Sequence, residues 1–362
     1  MNASIQQPEP GLPPPLTTTP DMTAVWSDVE TDFDTAAEMF VKRHRTDGAA
    51  ADHPVADLRV WGVKPQDGHF AIQPVLQHRE PIVLRNNALS NLCARLGVPV
   101  EFLRRLPAPL QLTIMNWALG SADRPMPATL RLRGAEAAAL VSDRYAPLDA
   151  DELVETLRSA LAQHGMLGEV RVRAVATGLT DALRVTFPGR AVEPRVGDFT
   201  HAGLDISTSS FGRSALHVRG LLFRLVCTNG LRVPQRMGEF SARHVGDSGR
   251  LREFLADAVP TVLTHSSGLM DAWKRSVNVQ VERLAELIGS MQELTTGERE
   301  NVGREVMVEA GVPELPELPE RTSVYSLVNA ITATARAAEP ARRLELESVA
   351  GQVLHRQVRG VS

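Results

Sequence analysis

No apolar run in this chain approaches the roughly 20 helical residues needed to cross a bilayer; the longest, such as Leu221 to Cys227, are far shorter. That excludes a membrane span. Cysteine is nearly missing: Cys93 and Cys227 are the only two, too few for a cysteine-only zinc site and in keeping with a reducing compartment. Met1 to Pro20 holds neither a basic start nor an apolar stretch, so it does not read as a secretion signal, and a cytoplasmic location is expected. Aromatics make up 4% of the residues, and lysine is restricted to Lys42, Lys64 and Lys274. The familiar motifs are absent too: no Gly-Lys-Ser/Thr phosphate loop, Gly-x-Gly-x-x-Gly, His-Glu-x-x-His or Gly-x-Ser-x-Gly. No catalytic residue, cofactor or metal site is expected. Asp198 with Asp205 is the nearest thing to a cation pair, and both read as ordinary loop carboxylates.

What is present is arginine, unevenly placed. Residues 199–237 carry five arginines against Asp205 alone, and residues 79–133 carry eight against three acids. Residues 1–60 reverse the balance, with ten acids and four bases. A GC-rich genome accounts for arginine in place of lysine. It does not account for the missing acids.

Hydrophobic content of 43% and charged content of 23% are those of a globular chain, and 362 residues suggest two domains or one with helical additions. Residues 1–22, with Pro13-Pro14-Pro15 and Thr17-Thr18-Thr19, read as a disordered leader. Residues 23–248 read as an α+β domain and 249–362 as a helical region. Weak patterns give a helix over Ala36 to His44 and a strand pair within Val60 to Ile72. Asn86 to Leu106 reads as two helices broken at Gly97-Val98-Pro99, a plain packed hairpin in preference to the helix-turn-helix it loosely resembles, with Arg95, Arg104 and Arg105 exposed.

Period-two alternation marks the strands. Leu130 and Leu132 oppose Arg131 and Arg133; Val170 and Val172 oppose Arg171 and Arg173; Leu183, Val185 and Phe187 oppose Arg184; Leu216 and Val218 oppose His217 and Arg219. Residues 177–181 join two of these as a hairpin turn. Asp149 and Glu152 form a capping-box pattern for a helix that ends at Gly165. The segment Leu221 to Gly230 reads either as a buried strand or as a short helix closed by Asn229-Gly230, the helix being preferred. Leu269, Trp273, Val277, Val281, Leu284, Ile288 and Met291 keep helical spacing for about six turns, a stripe that reads first as the core of a helical bundle and second as a face for a partner helix or coiled coil. Helices over Thr322 to Ala338 and Ala341 to Val358 complete the pattern. The expected fold is α+β: a mostly antiparallel sheet covered by helices, with a helical C-terminal part.

Three segments, in order, carry a resemblance: Ala139 to Asp149 (Ala-Leu-Val-Ser-Asp-Arg-Tyr-Ala-Pro-Leu-Asp), Ile206 to Gly212 followed by Leu222 to Leu231 (including Arg-Leu-Val-Cys-Thr-Asn-Gly), and Tyr325 to Thr332 (Tyr-Ser-Leu-Val-Asn-Ala-Ile-Thr). Together they resemble the phage/plasmid-like proteins grouped as domain of unknown function 932, over roughly residues 80–355. Relatives often read Asn-Ser-Glu-x-Gly where this chain has Thr208-Ser209-Ser210-Phe211-Gly212. The resemblance implies carriage on phages, plasmids and integrated elements, and no particular activity.

Three functions follow as expectations. The first is a mobile-element nucleic-acid-binding protein that assists replication or recombination, holding or annealing single-stranded DNA. It would act through Arg131, Arg133, Arg171, Arg173, Arg184, Arg213, Arg219 and Arg224, with Arg104 and Arg105. This requires the guanidinium groups to lie coplanar and uncovered. The second is an enzyme built around Asp205, Ser209, Cys227 and Asn229, with Arg213 and Arg224. The third is an interaction factor that binds a host or competitor protein through the Leu269–Met291 stripe. Homo-oligomerisation is left open by all three.

Overall fold

The computed structural model of the protein describes residues 13–26, 29–76, 79–176, 179–224, 229–232, 239–311 and 318–359. In chain order its elements begin with β1 (Val25–Trp26), α1 (Phe33–Thr46), β2 (Ala50–Val55), β3 (Trp61–Gln66), β4 (His69–Pro74) and β5 (Ile82–Val83). Next come α2 (Asn86–Leu96), α3 (Val100–Leu103), α4 (Ala108–Gly120), β6 (Ala128–Arg133), β7 (Glu136–Val141) and α5 (Ala150–Gln163). A run of strands follows: β8 (Arg171–Ala176), β9 (Asp181–Arg195), β10 (Asp198–Thr208), β11 (Leu216–Arg224), β12 (Asn229–Arg232) and β13 (Glu239–Ala242). The remainder is helical: α6 (Ser248–Ser276), β14 (Gln280–Val281), α7 (Leu284–Ser290), α8 (Thr296–Glu309), β15 (Thr322–Ser323), α9 (Val324–Arg336) and α10 (Pro340–Arg359). The named strands all pair antiparallel, so the α+β class with antiparallel sheets is what the alternation led us to expect.

Two compact units form, one of residues 1–21 with 44–145 and one of residues 22–43 with 146–362. These cut the chain at other places than 22 and 248. In the first unit, sheets β2–β6–β7 and β3–β4–β5 share a core with α2, α3 and α4, through Leu58, Phe70, Leu89, Leu103, Met115 and Leu130. Part of the expected leader belongs to that core. Leu16 is buried, its N–H donates to Gln111 Oε1 at 2.7 Å, and Thr17 and Thr19 bridge to His69 and Arg85. An apolar side chain plus satisfied backbone groups orders the segment despite the prolines before it.

The second unit is built on a seven-stranded sheet in the order β1–β8–β9–β10–β11–β12, with β13 also paired to β11. One face presents Val172, Leu183, Val185, Phe187, Leu204, Ile206, Leu216 and Val218 to α1, α5 and the first half of α6. A second core joins the end of α6 to α7–α10 around Trp273, Tyr325, Leu327, Val328 and Leu354.

Three local expectations need correction. Leu221 to Arg224 is strand, opposite Thr200–Gly203 of β10, and Asn229 and Gly230 return as β12; residues 225–228 lie outside the described residues. A strand buried on both faces loses alternation, so period alone could not separate it from a helix. The six-turn stripe is not one helix: α6 stops at Ser276, and β14 with Arg283 at φ 48° intervenes before α7. Its residues still reach one core, which preserves the spacing across the break. Asp149 does occupy the N-cap of α5, but makes no side-chain cap, and Glu152 pairs with Arg252 instead of closing the box.

Candidate functional site

The sheet face opposite α6 carries charge. Register places Arg173 beside Arg184, Arg184 beside Asp205, Asp205 beside Arg219, and Arg219 beside Glu239. One transverse row thus crosses five strands, β8, β9, β10, β11 and β13. The alternation had put these arginines on one face, and the register makes them neighbours. They share one face of the sheet. They are not uncovered.

Asp205, fully buried, is the hub. Its Oδ1 accepts from Arg232 Nη2 at 2.6 Å and Nε at 3.1 Å and lies 3.6 Å from Arg219 Nη1, while Oδ2 lies 3.3 Å from Arg184 Nε. Burial pushes the Asp205 carboxyl up, but Arg232, Arg184 and Arg219 outweigh it and hold the group down to about 2. Arg184 also donates to Glu347 of α10, and Arg173 lies 3.5 Å from Glu30 with its guanidinium 4.0 Å above the Phe223 ring. Leu344 of α10 packs on Val175 and Ala182, the adjoining row, so α10 lies on this face.

The row opens at one edge. Arg219 Nε donates to Glu239 Oε1 at 2.8 Å, and His217 Nδ1 lies 3.0 Å from the same oxygen. Ser207 Oγ, opposite His217, accepts from Arg219 Nη1 at 2.9 Å and Arg232 Nη2 at 3.2 Å. Side-chain exposure rises here from zero at Asp205 to 14% at Arg219 and 23% at His217.

The remaining arginines divide. Arg131 is buried against Asp52 at 3.0 Å, and Arg133 is buried nearby in the first unit. Arg224 sits at the end of the sheet between Asp198, at 2.8 Å, and Glu309, at 2.9 Å. Burial opposes its charge, yet the two carboxylates raise its pKa further above the usual range. Arg104 pairs with Glu101 and donates to Asn86 Oδ1. Only Arg105, Arg171 and Arg213, of the ten, are exposed. The basis for a sheet-wide arginine track is therefore corrected: carboxylates from Asp52, Asp198, Asp205, Glu30, Glu239, Glu309 and Glu347 neutralise its members, because a buried guanidinium needs a counter-charge.

The polar set proposed for an enzyme is also dispersed. Ser209 Oγ donates to Leu179 O at 2.6 Å and accepts from Phe211 N and Arg213 N, which is turn closure. Asp205 is mid-sheet and Arg224 at the far end, on opposite faces. Asp198 points with Arg224, away from Asp205, and no group of three metal-ligating side chains occurs among the described residues. Cys227 lies outside the described residues, and Asn229 is described only as the strand partner of Arg224. Sequence reasoning missed Arg232, Glu239, His217, Glu30 and Glu347. Of these, only Glu239 could have been placed, had β13 been read as a strand returning along β11.

The fold and its charged layer define an α+β protein whose polar interior is a strand-crossing ion row. Residues 137–345, more than half of the chain, match the model of the family described as domain of unknown function (DUF932), and the chain belongs to that family. No curated protein and no solved structure matches it.

Proposed function

We propose that this chain acts by binding a protein partner through helix α4 of its first unit. The observation that carries this reading is a mismatch between composition and exposure. The 13 residues of α4 include no charge, and Gln111, Met115 and Leu119 already bury one face, yet Leu110 and Trp117 are 51% and 71% exposed. A solvent-facing helix normally carries charged residues on its outer side. The patch extends beyond it. Val75 Cγ2 and Asn116 Oδ1 both lie over Gly62, and Val75 N donates to Val60 O at 2.9 Å. Val60, Val75 and Leu76 are exposed there, and Phe102 adds a further aromatic on α3. An apolar surface with an exposed tryptophan suits a macromolecular contact. Asn116 meanwhile bonds both backbone groups of Val63, which blocks strand addition at that point and favours side-chain docking on α4.

The Leu269–Met291 stripe, the earlier motive for a partner, is spent inside the second unit. A photoreactive residue at position 117 of the full chain, in the cells that carry it, tests the reading. A discrete adduct heavier than two copies, lost on Leu110→Asp, supports it. A dimer-sized adduct alone, or none, overturns it.

A nucleic-acid role for a mobile-element protein now rests on Arg105, Arg171 and Arg213. Salt-sensitive retardation of single-stranded DNA beyond that of an unrelated protein of equal charge would restore it.

A further inference from the structure

From Val279 to Glu282 the chain alternates: Val279 and Val281 are apolar, while Gln280 and Glu282 are polar and exposed. Period two puts both valines on the core side, against the cluster around Trp273 and Tyr325, and makes β14 a strand. β14 has one partner, β15, in a sheet of two strands. Gln280 stands opposite Ser323 and Val281 opposite Thr322, and Val324 N donates to Val279 O at 2.8 Å. Antiparallel bonds fall on alternate residues, so Val279 and Val281 spend their backbone groups on β15. Gln280 turns its N–H and C=O the other way. Among the described residues nothing bonds to either group.

An open edge accepts a further strand unless something blunts it, and Val279 to Glu282 holds neither proline nor lysine. β15 offers no second opening, because it runs directly into α9, whose first turn is buried. The space beside β14 suits a short extended segment. A cleft of about 480 Å³ runs from Gln280, Val281 and Glu282 to Leu287 and Ser290 of α7 and Gln357 of α10. It shares Leu287, Ser290 and Gln357 with a hollow that adds Met291, Val349 and Val353, so an apolar floor continues past the strand. Arg283 pairs with Glu286 at 3.1 Å. Among the described residues, that leaves Glu282 as the carboxylate of the cleft without an ion pair.

A free backbone edge, an apolar floor and one unmatched carboxylate together fit one kind of occupant. We propose that β14 is the docking edge for an extended peptide segment, added as a third strand beside β14 and β15. Its main chain pairs with Gln280, its apolar side chains alternate onto the floor at Val281 and Leu287, and a basic side chain stands beside Glu282. The edge lies in the second unit and makes no use of α4, so either reading can fail alone.

The test selects displayed random heptapeptides on the full chain. Enriched peptides should alternate apolar residues with a basic one and hold no proline at their centre. Made free, they should bind Leu110→Asp as tightly as the parent protein, which separates this edge from the α4 surface. Methylating the backbone nitrogens of one peptide in turn should weaken it about tenfold at alternate positions, the loss of one main-chain hydrogen bond. Gln280→Pro removes the outward N–H and none of the β15 ladder, so it should weaken binding to the same degree with little change in melting temperature. Glu282→Lys should exchange the preference for a basic residue for an acidic one. Should Gln280→Pro fail to fold, hydrogen exchange in the parent protein decides: bound peptide should slow exchange of the Gln280 amide. No enrichment, equal binding to folded Gln280→Pro, or an unprotected Gln280 amide overturns the proposal. So does self-association that Gln280→Pro abolishes while no peptide is enriched, which would give the edge to a second copy.

Discussion

Arg184 of β9 and Glu347 of α10 are 163 residues apart and meet as a doubly hydrogen-bonded ion pair with side chains only 2% and 1% exposed. Glu347 is the counter-charge that α10 brings to the row, and Arg343 one turn earlier leans on it too. Glu347→Gln should therefore destabilise the protein by about 3–5 kcal/mol, because it strands a buried guanidinium beside an already shared Asp205. Replacing both partners, Arg184→Met with Glu347→Leu, should cost much less. Urea unfolding of the two variants is the measurement, and equal losses would defeat the argument.

How much of this could be read from residues alone depends on what alternation encodes. In Leu183-Arg184-Val185-Thr186-Phe187 it shows which side chains share a face, and the apolar set does face α1, α5 and α6. It does not show what covers the other face. Glu30 lies between β1 and α1 and Glu347 in α10, so neither lies near Arg173 or Arg184 in sequence. Within residues 199–237, Arg219, Arg224 and Arg232 find their acids at Asp205 inside the stretch, at Asp198 and Glu239 just beyond its ends, and at distant Glu309, which is why the stretch looked uncompensated. Helix ends were more legible where backbone conformation demanded a residue type: Gly97 closes α2 at φ 67°. The strand Leu221–Arg224 was not, since Leu221, Leu222 and Phe223 are apolar and buried on both faces.

Acid should expose the row's dependence on ionised carboxylates. The folded Asp205 carboxyl lies at about 2 against an ordinary 3.8, and Arg342, with Thr295, likewise holds Glu298 down to about 2 in spite of burial. A depressed folded pKa means the unfolded chain binds protons first. The stabilisation is complete above the ordinary carboxylate range and is lost as pH falls through about 2. Stability from urea midpoints should thus hold from neutrality to the ordinary carboxylate pKa and fall steeply below it. A decline complete before that range is reached would show that other groups govern acid unfolding.

Gly203 is required for a different reason. A Cβ there would stand 2.3 Å from Val185 O, a backbone atom of the paired strand, next to the register shift between His201 and Gly203. Neither strand can move without disturbing the hub residue Asp205 two positions on. Gly203→Ala should cost about 3 kcal/mol or more, above the usual range for overpacking. Gly168→Ala, which meets nothing within 4 Å, is the control. Calorimetric melting of both compares them, and similar curves would contradict the close approach.

Trp117→Asp separates folding from binding. The side chain is 71% exposed and opposite the buried face of α4, so the substitution should change unfolding free energy by no more than about 0.5 kcal/mol. Its fluorescence should be readily quenched by acrylamide in the free protein, unlike that of Trp273, which is buried and donates through Nε1 to Thr200 Oγ1 at 3.0 Å. Partner adducts formed from a photoreactive group at neighbouring Leu110 should disappear in Trp117→Asp, while the melting temperature stays put. If the variant instead unfolds, Trp117 supports the first unit's core and the α4 surface loses its claim as a docking site.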